Sequence, residues 1–124
     1  MKMIVDAAVV LDFLIGKDKV VSKFKLAEEL FITIFDYSLL IAGVYKSQNI
    51  NHNLYIIKEF IKQNIEILYF EKKEALAYAK LKTDYPAIDD IILMKASIIQ
   101  TNSLPFFTYN DIYEKIKKIK LIKV

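Results

Sequence analysis

Several oxygen-bearing side chains in this sequence fall where a strand would end or a helix begin. Asp6 follows the apolar run Met3-Ile4-Val5, Asp89 and Asp90 follow Pro86, and Asn110 and Asp111 follow Thr108-Tyr109. In an open α/β sheet the carboxyl ends of the strands are where ligands gather. Carboxylates collected at such an edge suit a magnesium or manganese ion. A metal held there can activate water and stabilise charge during phosphodiester cleavage. Each residue also has a plainer use. Asp6 and Asn110 are good helix caps, and Asp89 and Asp111 favour a helix amino terminus through its dipole. Asp12, six residues beyond Asp6 on the first helix, is expected to face away from the strand end.

Other site chemistries have little support. The chain has no cysteine, which excludes a disulfide scaffold and a Cys-based zinc site. His52 is the only histidine and sits in a polar stretch, so it has no companion ligand. No serine occupies a nucleophile-elbow pattern. All 18 basic residues are lysine, so any phosphate contact would be made by ammonium groups or backbone amides, not by guanidinium forks. The cluster Lys115, Lys117, Lys118, Lys120 and Lys123 could track a nucleic-acid backbone. Its commoner meaning is a solvated helix face and strand edge. Tyr37, Tyr45 and Tyr55 read as packing or interface residues.

At 124 residues the chain is expected to form one domain spanning 1–124, large enough to bury a core. Its hydrophobic content of 55% and mean hydropathy of +0.28 are above those of ordinary domains. The excess has two compatible readings: a sheet covered on both faces, and apolar surface left for a partner chain. The uncharged apolar stretches, such as Tyr37 to Tyr45, are far shorter than a membrane span. Asp6 and Asp12 interrupt what would otherwise resemble a signal peptide. A soluble, cytoplasmic protein without membrane association is expected, with a mild net charge of +3.

The elements that must position the acids follow from periodicity. Strands are expected at Met3–Val5, Phe31–Phe35, Ile65–Tyr69, Leu104–Thr108 and Lys118–Val124. Helices are expected at Ala7–Ile15, Lys19–Leu30, Tyr37–Gln48 with Asp36 as cap, Leu54–Gln63, Lys72–Lys82, Ile88–Thr101 and Asn110–Lys117. The segment Ser47–Asn53 reads as a loop. Alternating strands and helices argue for a three-layer α/β fold, a mostly parallel sheet with helices on both faces. Lysines on the last strand suit a sheet edge.

Over essentially its whole length the chain resembles the PIN domain family, close in layout to the VapC-type toxins of prokaryotic toxin–antitoxin pairs. The resemblance rests on the strand-Asp-helix opening Ile4-Val5-Asp6-Ala7-Ala8-Val9-Val10 and on the helix Leu39-Leu40-Ile41-Ala42-Gly43-Val44-Tyr45. It also rests on Ile88-Asp89-Asp90-Ile91-Ile92 and on Phe107-Thr108-Tyr109-Asn110. Two positions depart from the family pattern: Leu40 stands where a Glu is expected and Asn110 where an Asp is expected. The resemblance implies a metal-dependent endoribonuclease in which Asp6, Asp89 and Asp111 are catalytic. Asp6, Asp89, Asn110 and Asp111 would hold Mg2+ or Mn2+, with Thr108 orienting an acid or a water. It implies RNA as substrate, an antitoxin-like protein as partner, and a homodimer. The two departures favour the alternative, a PIN-like module whose site is weakened or inactive and which is kept for binding RNA or a protein.

Overall fold

Short β-branched runs set between amphipathic helices lead to a layered molecule. The computed structural model has that form across residues 1–123, which are those it describes. The strands are β1 (Lys2–Val5), β2 (Glu29–Thr33), β3 (Ile65–Leu68), β4 (Phe106–Phe107) and β5 (Leu121–Ile122). The helices are α1 (Ala7–Leu14), α2 (Asp18–Leu26), α3 (Ile34–Val44), α4 (Ile50–Asn64), α5 (Lys72–Asp84) and α6 (Asp90–Asn102), and a 3-10 turn spans Asp111–Lys115. The strands form one sheet in the order β3-β2-β1-β4-β5, and every neighbouring pair is parallel. The sheet is α/β with helices on both faces, as expected.

Side-chain alternation along the strands divides the core in two. Met3, Val5, Ile32 and Phe107 face a cluster completed by α1 through α4, with Val9, Val10, Phe24, Leu40 and Ile61. Ile4, Phe31 and Phe106 face the opposite cluster, with Leu81 of α5, Leu93, Ala96 and Ile99 of α6, and Tyr113 and Ile116. Met3, Ile4 and Val5 are all fully buried. Full burial of such a side chain is worth about 1.5–3 kcal/mol, so the central strand is firmly held.

Several boundaries differ from the sequence expectation, each for a local reason. The second helix stops at Leu26, not Leu30, because Ala27 turns extended and Leu30 is drawn into the sheet opposite Met3 and Ile65. β2 therefore covers Glu29–Thr33 instead of 31–35. The Thr33 hydroxyl accepts the Asp36 N–H and starts α3 at Ile34. The segment Ser47–Asn53 is only partly a loop: α4 begins at Ile50, and the Asn53 amide donates to the Ser47 hydroxyl at 3.0 Å. The expected helix Asn110–Lys117 is a five-residue 3-10 turn, and the closing strand is reduced to Leu121–Ile122. The end of that expected strand, Val124, lies outside the described residues. No helix among the described residues is long and apolar enough to cross a membrane.

Candidate functional site

The site is built on β1. The register pairs Val5 with Phe107 and Ile4 with Phe31. Continued to the strand ends, it places Asp6 between Thr33 of β2 and Thr108 beyond β4. By the same alternation all three belong to the sheet face that α6 covers. All three are buried. The extended backbone of Asp6 makes it the cap of α1: its Oδ1 accepts the Val9 N–H at 2.9 Å. Its Oδ2 accepts a hydrogen bond from the Thr108 hydroxyl, which in turn accepts the Asn110 N–H at 3.1 Å. Asp6 thus has both the capping role and a place at the carboxyl edge of the sheet.

The second buried acid at this edge is Asp36, in the first turn of α3 and 1% exposed. Its Oδ2 accepts from the Thr33 hydroxyl at 3.3 Å. Its Oδ1 accepts from the Lys95 ammonium at 3.0 Å, and the Lys95 side chain is 13% exposed. Lys95 reaches the edge from the middle of α6. Burial pushes the Asp6 carboxyl above its ordinary value, the bonds from Thr108 and Val9 pull it back, the Asp36 charge raises it, and the Lys95 charge lowers it. Asp6 thus feels the charges of both Asp36 and Lys95. Beneath them the buried Tyr113 stacks edge-on against Phe106 at 5.0 Å. Its hydroxyl is pushed up by burial and by the charges of Asp36 and Asp6.

Asp36 was not among the sequence candidates beyond its expected role as a helix cap. The helix instead takes its cap from Thr33. The spacing Thr33-x-x-Asp36 directly after a β-branched run is the signal that could have identified it. Leu40, the position expected to replace a family Glu, is 3% exposed and packs in the α1–α4 core, one helical turn beyond the acid that α3 does supply.

The side chains of the other candidates form no hydrogen bond with Asp6 or Asp36. Asp89 is exposed at the head of α6 and makes no side-chain cap bond. Asp90 is tied to Lys82 at 3.0 Å and accepts from the Tyr78 hydroxyl at 2.8 Å. Asn110 is exposed, and its Oδ1 caps the 3-10 turn through the Ile112 N–H at 3.1 Å. The Asp111 side chain is 82% exposed and lies 3.5 Å from the Lys123 ammonium. Asp12 accepts from the Tyr109 hydroxyl at 2.6 Å and pairs with Lys17 at 3.2 Å. That Tyr109 bond is the main influence holding the Asp12 carboxyl below its ordinary value. The Tyr109 hydroxyl is pushed up to about 12, first by burial and then by Asp12.

The residues present do not make a divalent-metal cage. Among the described residues no three His, Cys, Asp or Glu side chains converge closely enough to hold an ion. Asp6 has both oxygens engaged, and an ammonium already sits on Asp36.

A second feature lies on the opposite face. Between α1, α3 and α4 runs an apolar groove of about 320 Å³, lined by Leu11, Leu14, Leu39, Leu40, Gly43, Val44, Ile56 and Ile57. Leu11, Leu39 and Ile56 are 49%, 54% and 42% exposed.

Neither a family model nor a curated protein matches the sequence. Solved structures do match in fold. A chain of VapBC2 from Rickettsia felis, bound to a DNA fragment from its promoter, superposes with a TM-score of 0.83 at 20% identity, covering 98% of each chain. A chain of DNA-bound VapBC from Salmonella typhimurium gives 0.84 at 19% identity, covering 98% of this chain and 97% of the other. The fold is the VapC-like PIN fold. A chain of FitAcB from Neisseria gonorrhoeae shares it, with a TM-score of 0.80 at 18% identity over 98% and 96% of the two chains. Within this PIN fold, Asp6 stands at the head of the central strand and Asp36 at the end of its neighbour.

Proposed function

We propose that this chain is the PIN-fold member of a toxin–antitoxin-type pair, and that it acts by binding an antitoxin-like protein through the groove between α1, α3 and α4. The groove is the observation that carries this reading. Three large aliphatic side chains stand open around a floor formed by Leu40, Val44 and Ile57. An amphipathic helix presenting apolar residues at spacings of three and four fits such a surface. The VapBC and FitAcB chains of the same fold come from structures of complexes, which supports a protein partner.

The second reading is a metal-dependent endoribonuclease acting on RNA. In its favour, two buried carboxylates, Asp6 and Asp36, meet at the carboxyl edge of the sheet. It would require Asp89 and Asp111 or Asn110 to join them around Mg2+ or Mn2+.

The test is co-expression with a candidate antitoxin, followed by size-exclusion chromatography with light scattering. A stable complex is expected, lost on Leu39→Lys and on Ile56→Lys while the melting curve of the free chain is preserved. A complex indifferent to both substitutions would overturn the groove assignment. Self-association lost with the same substitutions would instead assign the groove to a homodimer. RNA cleavage measured with Mg2+ or Mn2+ on the wild type and on Asp6→Asn decides the second reading. Cleavage that needs metal and disappears in Asp6→Asn would establish it.

A further inference from the structure

The geometry points to Lys95 as the resident cation of the acidic edge: its ammonium takes the position that a divalent ion would occupy, so the native site does not bind one. Two buried carboxylates side by side repel each other and need a counter-charge. One way to supply it is a metal, held by one or two carboxylates and its own waters. Here α6 supplies it covalently, with the Lys95 ammonium 3.0 Å from Asp36 and its charge acting on Asp6 as well. Every oxygen of the two carboxylates already accepts a hydrogen bond or an ion pair. Thr33 and the ammonium use Asp36, and the Val9 amide and Thr108 hydroxyl use Asp6.

Neither carboxylate has an oxygen without a partner. No buried side-chain nitrogen or oxygen among the described residues lacks a hydrogen-bond partner. A divalent ion entering this edge would have to displace a tethered cation, whose return is intramolecular. The site is thus closed to metal by its own lysine and not only by a shortage of acids. This holds whether or not a protein partner fills the groove on the other face.

The experiment is a manganese titration of the full chain followed by electron paramagnetic resonance of free Mn2+. The wild type is expected to show no saturable site up to about 1 mM, whereas Lys95→Met, which removes the ammonium from Asp36, gains a site at least ~10-fold tighter. The double variant Lys95→Met/Asp36→Asn should lose that gain. A wild type that binds Mn2+ as tightly as Lys95→Met would overturn the inference. If Lys95→Met does not fold, the wild-type melting temperature decides. It should be unmoved by ~5 mM MnCl2, and a clear rise would reveal a native site and sink the inference.

Discussion

Asp6 and Asp36 are both buried acids, yet they are stabilised differently and should respond differently to neutralisation. Asp36 is paired with Lys95, so Asp36→Asn leaves a largely buried ammonium without its partner. The expected cost is about 3 kcal/mol at pH 7, at the low end for a broken buried pair because the Lys95 side chain keeps some exposure. Urea denaturation measures it. Asp6 has no direct ion pair, and burial raises its carboxyl above 3.8. In the pH range between 3.8 and its raised value, the native state holds more protons than the unfolded chain. The stabilising contribution is present below that range and is lost as pH rises through the raised value. Asparagine caps a helix as well as aspartate does. The stability of Asp6→Asn relative to the wild type should therefore increase from about pH 4 towards neutrality and then level off. A difference that stays flat over that range would contradict the burial of Asp6.

The way the elements start and stop explains what the sequence could and could not reveal. The strand-Asp-helix opening was readable because apolar β-formers, an acid and an apolar helix follow one another without a gap. The α6 region was readable because Pro86 and two acids precede a long apolar run. Asp36 was not recognised as a site residue because Ile34 and Phe35 extend the β-branched run and disguise the start of α3. Its approach to Asp6 comes from the register of two strands far apart in sequence, which local spacing does not encode. Lys95 was hidden by its setting, since a single lysine in an apolar helix has no pattern of its own. Helix endings carry a further prediction. Ser103 closes α6 in the left-handed conformation, φ 54°, with its N–H bonded to the Ile99 and Gln100 carbonyls. Glycine adopts that conformation without the Cβ penalty, so Ser103→Gly should stabilise the protein by roughly 0.5–1 kcal/mol. At Gly16, φ 83°, the reverse holds: Gly16→Ala should destabilise by about 1 kcal/mol although open space surrounds the position. Thermal melts of the two variants check both signs.

Taken as a whole, the molecule is two cores separated by one sheet, with the acidic edge on the α6 side and the apolar groove on the other. Ile61 belongs to the first core and Leu93 to the second. Ile61→Val should cost about 0.5–1.5 kcal/mol and Leu93→Ala about 2–5 kcal/mol. Because the two residues share no cluster, the double variant should equal the sum within about 0.5 kcal/mol. A larger departure, measured by urea denaturation, would mean that the sheet transmits packing changes between its faces. The excess of apolar residues evident in the sequence is accounted for at this level. Much of it fills both cores, and part of the rest lines the groove.

The hydrogen bond from Thr108 to Asp6 joins residues 102 positions apart. β1 and its neighbour β4 are separated in the chain by β2, β3 and all six helices. Contacts this distant in sequence close late and slowly. On the ribosome the groove elements α1, α3 and α4 are complete while the acidic edge still lacks Lys95 and Thr108. At that stage the nascent chain carries an exposed apolar face and a carboxylate pair still without its lysine. A binding partner could engage the chain before its acidic edge is complete.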